Sequence, residues 1–263
     1  MLLAELVNML DDLFLPSQFS DACHNGLVIP GKDRVKQMLL GVSLNRALID
    51  RAVHTKAEAV LVHHGVFISG NWSIPSSIRS WVESLIHHKI SLFCYHLPMD
   101  AHLEFSHNRY LLDSLSVKDA EAFSPYGLIG DLPVSLDIDQ VLKRLPAQKW
   151  GSDLPPFPIN LPVSLQWDKG RWISRSGTDQ IHRVAAASGR GGNDINAAAA
   201  AGAQLLITGE MSEHHPELAS LLGINLIAVG HYLSEKGGLI RLGEWLKKVT
   251  CLDVSFFFED NPL

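Results

Sequence analysis

Two short apolar runs in this chain each lead to a histidine with an acid four positions later, His96 with Asp100 and His231 with Glu235. Residues at i and i+4 share one helical face, where an imidazole and a carboxylate can converge on a metal ion. A second signal lies upstream of each pair. Residues 58–64 (EAVLVHH) and 203–210 (AQLLITGE) read as buried strands running straight into polar residues, which puts His63, His64 and Glu210 at strand ends. Open α/β sheets place their ligands at the carboxyl ends of strands, beside helix N-termini. Mixed imidazole and carboxylate donors suit Zn, Mn, Fe or Ni better than copper or calcium. Two such ions close together would bring a water between them toward a pKa of about 7, ready to attack carbon or phosphorus.

His63 and His64 are adjacent, and in an extended strand neighbours point to opposite sides, so each is expected to serve a different metal. Asp100 is expected to bridge the two ions, and His231 with Glu235 to complete the site. His96, one helical turn from Asp100, is the expected catalytic proton carrier. Glu210, His214 and His215 stand behind it as candidates for proton transfer or support of the ligands. The chain has 13 histidines, and His87-His88 shows that adjacency alone marks no ligand. The plainer readings are a helix-start hydrogen bond for His231 with Glu235 and an N-cap for Asp100.

The elements that must position these residues follow from hydrophobic periodicity. An amphipathic helix over about 2–14 precedes a turn-rich stretch at 21–27. A strand (VKQMLLGVSL), a helix (NRALIDRAVHTK) and a second strand (EAVLV) then form a β-α-β unit. A helix at 76–89, the strand SLFCY and the helix HNRYLLDSL follow. The pattern changes between about 124 and 182, where GLIGDLP and a helix near 136–145 lead into a loop with Pro155, Pro156, Pro158 and Pro162. Strands WISRSG and HRVAAAS, helix NDINAAAAAGA, strand QLLIT, helix HPELASLLG and strand NLIAV come next. The helix LIRLGEWLKKV and a closing strand VSFFF end the chain. Sliding one half over the other by 145 residues puts Val60-Leu61-Val62 on Leu205-Leu206-Ile207, and the shared His-x-x-x-acid then falls at an offset of 135. The pattern is that of a duplication.

Composition narrows the function classes. The hydrophobic fraction is 46% and the charged fraction 19%, ordinary for a folded globular chain of 263 residues. A net charge of −6 argues against a polyanion-binding surface, so nucleic acid is not an expected partner. Cys23, Cys94 and Cys251 are odd in number, far apart and in no CxxC arrangement, which predicts free thiols used in packing. The N-terminal MLLAELVNMLDDLFLP carries Glu5, Asp11 and Asp12 where a signal peptide would be basic or apolar. No stretch approaches the roughly 18 apolar residues of a membrane span. A cytoplasmic protein with no membrane partner is expected.

The segments LVHHGVF (61–67), YHLPMDAH (95–102), TGEMSEHH (208–215) and GHYLSE (230–235), together with DACHNGLVIPG (21–31) and YGLIGDLP (126–133), resemble in order the signatures of the YbgI-like, NGG-interacting-factor-like family of GTP cyclohydrolase 1 type 2 homologues. Gly65 departs from the pattern, standing where many members carry Pro, and His24 stands where others have Pro or Val. The resemblance runs from about residue 21 to 240. It implies an α/β fold of two intertwined, duplicated halves with mixed sheets and a metal site between them. The expected halves are 1–124 with 232–263, and 125–231. It further implies two divalent metal ions per subunit, ligands at His63, His64, Asp100, His231 and Glu235, and a homohexameric toroid.

A metal-dependent hydrolase acting on a small molecule or nucleotide is the leading expectation, with purine ring opening of the GTP cyclohydrolase type implied by the family name. The chain has no Walker loop and no basic cluster for three phosphates, so a phosphoester substrate fits the same metals. A metal-binding ring scaffold that recruits a protein partner without turnover is the reading from a different class. The loop Ser188-Gly189-Arg190-Gly191-Gly192-Asn193 is a glycine-rich turn that in some proteins holds an anion.

Overall fold

The structure, a computed structural model, describes residues 1–65, 76–146, 165–259 and 261. The chain forms two compact units, Met1–His102 with Leu239–Glu259, and Leu103–Gly238 with Asp260–Leu263. The first unit is therefore built from two separated stretches of chain. Each unit is a mixed α/β layer structure on its own sheet.

In the first unit the strands run Gly26–Ile29, Ser91–Cys94, Ala59–His64, Gln37–Ser43 and Asp253–Phe256 across the sheet. All pairings are parallel except that of the edge strand Gly26–Ile29, which is antiparallel to Ser91–Cys94. The apolar run Ala59–Val62 is fully buried because a parallel strand with a neighbour on either side has both faces covered. On one face Leu39, Val60, Val62, Leu92 and Cys94 pack on Leu48, Ile49 and Ala52 of helix Arg46–Thr55 and on Val82 and Leu85 of helix Arg79–His87. Each such leucine or isoleucine contributes about 1.5–3 kcal/mol of burial. Asn45 starts helix Arg46–Thr55 by accepting from the Leu48 amide at 2.9 Å. The last strand, expected from VSFFF, closes this sheet beside Gln37–Ser43.

The second unit has a seven-stranded sheet in the order Ala120–Ala122, Leu128–Leu136, Ile181–Ala187, Leu205–Thr208, Asn225–Ala228, Arg171–Ser174 and Leu165–Asp168. Its three middle strands are parallel and the outer ones antiparallel. Successive residues face opposite layers. Leu205 and Ile207 join Val184, Ala186 and Leu111 on one side, whereas Leu206 joins Ala185, Ile195 and Ala219 on the other. Ser106 caps helix His107–Ser114, and Asp137 with Gln140 forms a reciprocal capping box at helix Ile138–Arg144.

The duplication is visible in topology. Ala59–His64 has parallel neighbours on both sides, and so has Leu205–Thr208. In each unit the next strand, Ser91–Cys94 or Asn225–Ala228, leads into a one-turn helix, Leu97–Asp100 or His231–Ser234. The offset shrinks from 145 to 135 between these points because Val62 and His96 are 34 positions apart and Ile207 and His231 only 24, while the connecting helices Arg79–His87 and His215–Leu222 differ by a single residue. The structure adds short strands that the periodicity did not predict: Gly26–Ile29, Ala120–Ala122 and Leu165–Asp168 have at most four residues, too few to establish a period of two. The proline loop with Pro155, Pro156, Pro158 and Pro162 lies outside the described residues.

Candidate metal centre

In the first unit the ligand-type atoms of His63, His64 and His96 all lie within 4.8 Å of one another. His63 and His64 end the central strand, and their ring centroids are 4.7 Å apart. Strand alternation alone predicts a wider splay. The two rings lie on the last two residues of the strand, where the ladder ends with His64 opposite Ser43. Gly65 has no room for a side chain, since a Cβ there would stand 2.9 Å from the Cys94 thiol. His63 is fully buried, an unusual place for an imidazole unless its nitrogens have work to do.

The hydrogen bonds fix how these rings present themselves. His63 Nδ1 lies 3.0 Å from the carbonyl oxygen of Tyr95; a carbonyl only accepts, so Nδ1 carries the proton and Nε2 keeps its lone pair. That Nε2 lies 3.7 Å from Oδ1 of Asp100, at the end of helix Leu97–Asp100. His96 Nδ1 lies 3.0 Å from Asp21, whose carboxylate likewise must accept, leaving the His96 Nε2 lone pair directed away from it. His64 Nδ1 shares a hydrogen bond of 3.0 Å with Ser43 Oγ. Anchoring one ring nitrogen so that the other faces a cation is how metal-binding histidines are oriented.

Behind His63, Tyr95 is itself held by its hydroxyl, which donates to Asp11 of the first helix at 2.6 Å. Burial, then Asp11, push the Tyr95 phenol far above its usual range, so it stays a donor. Asp21 also accepts from Asn25 and from the amides of Cys23 and Leu97. Burial alone would raise its pKa, but the bonds from His96, Asn25 and those amides hold it well below the carboxylate range. Asn25 in turn accepts from the His96 amide at 2.7 Å. Asp21, Asn25, Ser43 and Tyr95 were not expected from spacing. The turn-rich stretch at 21–27 carried the only signal, and it does not say which ring the acid meets.

In the second unit His231 and Glu235 realise the expected i, i+4 contact, with Nε2 to Oε1 at 3.2 Å. Glu210, which follows strand Leu205–Thr208, accepts from His231 Nδ1 at 2.5 Å. The hydrogen bond to Glu235, with the charges of Glu235 and Glu210, outweighs burial and raises the His231 pKa to about 9. A bound cation would replace that proton. Gly189, at φ +56°, passes so close that a Cβ there would meet Glu235 Oε1 at 2.5 Å and His231 Nε2 at 3.4 Å. Its amide donates to Ser234 Oγ at 3.0 Å and its carbonyl accepts from the Glu210 amide. The glycine-rich loop thus uses the Ser188, Gly189 and Gly191 amides on protein acceptors. His215 is buried and accepts from the Ser212 amide, a structural bond at a helix start, with the His214 ring centroid 4.3 Å away.

Imidazole nitrogens and carboxylates with orientations set from behind are the donor chemistry of a divalent transition metal. Cys94 is not placed as a metal ligand: its thiol is fully buried against Cys23 Sγ at 3.2 Å and the His63 carbonyl; the three cysteines are free thiols, Cys23 and Cys94 packed in the core as expected but Cys251 exposed. Among the described residues no helix is long and apolar enough to cross a membrane.

The chain is 33% identical over 263 residues to a GTP cyclohydrolase 1 type 2 homolog of Salmonella typhimurium, covering 98% of both proteins. It is 32% identical, with the same coverage, to the Escherichia coli protein of that name. The solved structure of protein ybgI, described as of unknown function, superposes with a TM-score of 0.86 at 31% identity over 100% of both chains. A Thermus thermophilus protein shares the fold at a TM-score of 0.83 and 24% identity, over 100% of both chains. The family model Duf34/NIF3 (NGG1p interacting factor 3) matches residues 1–262, and the chain belongs to that family.

Proposed function

We propose that this protein is a metal-dependent hydrolase in which His63, His64, Asp100, His231 and Glu235 ligate two divalent ions. The observation that carries the reading is the anchored imidazole set. His63, His96 and His231 each have Nδ1 committed to an oxygen acceptor, which sets Nε2 as the working nitrogen. When bound, the metal pair supplies Lewis-acid activation and lowers the pKa of water. The names of the relatives favour purine ring opening, and a phosphoester is the alternative substrate for the same donors.

The chain's own residues supply the rest. His96, held by Asp21 in one tautomer, takes or gives a proton at Nε2. Glu210 keeps the His231 ring in place. The hexameric ring implied by the family resemblance belongs to this proposal and is checked by native mass spectrometry.

The test is elemental analysis of the purified protein with a screen of GTP, other nucleotides and phosphoesters after restoring Mn, Zn, Fe or Ni. About two metals per chain and turnover that disappears in Asp100→Ala support the hydrolase. Metal without turnover on any substrate gives the case to the scaffold reading. Absence of metal removes the central claim.

A further inference from the structure

The second unit carries a feature that metal ligation does not use. Trp167 and Trp172 are directly paired across the hairpin formed by Leu165–Asp168 and Arg171–Ser174. Their ring centroids are 4.8 Å apart at an interplanar angle of 64°. Both are only partly buried, while their hairpin neighbour Ile173 is the one that enters the core cluster. The two indoles pack on each other and stand outside the core cluster that Ile173 joins. They line a cavity of about 360 Å³ together with Met211, Glu210 and His231, over a floor that includes Gly209 and Gly230. That volume lies in the ~300–1,000 Å³ range of small-molecule sites.

The walls select the ligand. Indole faces and a thioether favour a flat π system. Glu210 is the acceptor in the wall, and a carboxylate only accepts, so the ligand must bring a hydrogen-bond donor, which on a flat nitrogen heterocycle is a ring or exocyclic N–H. Glu210 is already flanked by His231 at 2.5 Å and by the Arg190 guanidinium at 3.6 Å. Its charge is thus compensated, and it offers lone pairs rather than a naked anion. A neutral ring with N–H groups matches this better than a quaternary ammonium, which would need the uncompensated charge.

We infer that the Trp167–Trp172 hairpin and Glu210 form a recognition pocket for a planar nitrogen heterocycle bearing N–H donors, which places that ring against His231. That the ring belongs to a substrate rests on the hydrolase reading; the pocket itself does not.

Isothermal titration calorimetry of the full-length protein with guanosine and adenosine tests it, with ribose and choline as controls. Binding of at least one nucleoside but neither control is expected. Trp172→Ala and Trp167→Ala should each weaken it about 10-fold, and Trp172→Phe should keep most of it. Metal content in the three variants should equal wild type. Circular dichroism confirms that each is folded, and Trp172→Leu, which removes the aromatic face but keeps an apolar side chain, serves if an alanine variant does not fold. Equal affinity in the folded alanine variants, binding of choline in place of nucleoside, or no binding of either nucleoside overturns the inference. Failure to find metal or turnover, with tryptophan-dependent nucleoside binding intact, overturns the hydrolase reading and leaves the pocket standing.

Discussion

The Asp21 carboxylate accepts the Nδ1 proton of His96 at 3.0 Å although the two residues are 75 positions apart in the chain. Asp21 is almost wholly buried and receives three further hydrogen bonds, so it is a fixed acceptor. An acid that holds an imidazole in one tautomer is worth orders of magnitude where the imidazole moves a proton. Asp21→Asn is therefore expected to lower kcat about 100-fold or more while metal content stays at the wild-type level. Loss of metal in this variant would instead make His96 a ligand.

The same carboxylate has a pH signature. Burial raises its folded pKa, but the bonds from His96, Asn25 and two amides outweigh burial and hold it below the ordinary value near 3.8. A depressed carboxylate stabilises the fold above its unfolded pKa and loses that contribution as pH falls through the folded one. Urea denaturation of chelator-treated protein should show wild type more stable than Asp21→Asn by a constant margin above about pH 5. The margin should close as pH drops from about 4 toward 2. A margin that is flat over that window would show that Asp21 is not tuned by its bonds.

Much of this arrangement is legible in the residues. The strands ending at His64 and Thr208 are buried apolar runs, and His231 and Glu235 meet because a helical turn brings i and i+4 together. Asp21 is not legible, since its partner is set by how the turn at 21–25 folds beside strand Ser91–Cys94, a tertiary fact without periodicity. Gly189 is half legible. A glycine-rich loop is a visible signal, but anion binding and close approach to a neighbour ask for the same residue, and here it is the approach that the contacts use. The proximity of His63 and His64 at the end of their strand runs against strand alternation.

The Asp100 carboxylate stands 3.7 Å from Nε2 of the buried His63. Removing it takes a carboxylate donor from beside a cluster of imidazoles in this unit. Asp100→Ala is expected to lose at least one of the two metals, and Asp100→Asn, which keeps the shape, to lose affinity in the same direction. Elemental analysis of both variants decides. A fully loaded Asp100→Ala protein would remove this residue from the ligand set.

Gly189 and Gly223 make a controlled pair for the second unit. Both adopt left-handed backbone, at φ +56° and +65°, so an alanine at either costs about 1–2 kcal/mol of backbone strain. Gly223 ends helix His215–Leu222 with nothing within 4 Å of where a methyl group would stand, so its alanine variant bears that cost alone. At Gly189 the methyl would also press on Glu235 Oε1 at 2.5 Å and His231 Nε2 at 3.4 Å. The carboxylate is the softer partner and must swing away, which separates the two ligands. Urea denaturation should therefore show Gly189→Ala to be the more destabilised variant, and elemental analysis should show it short of metal beside a fully loaded Gly223→Ala. Equal stability and equal metal in the two would mean that the loop tolerates a side chain there, and that Gly189 serves only its backbone angle.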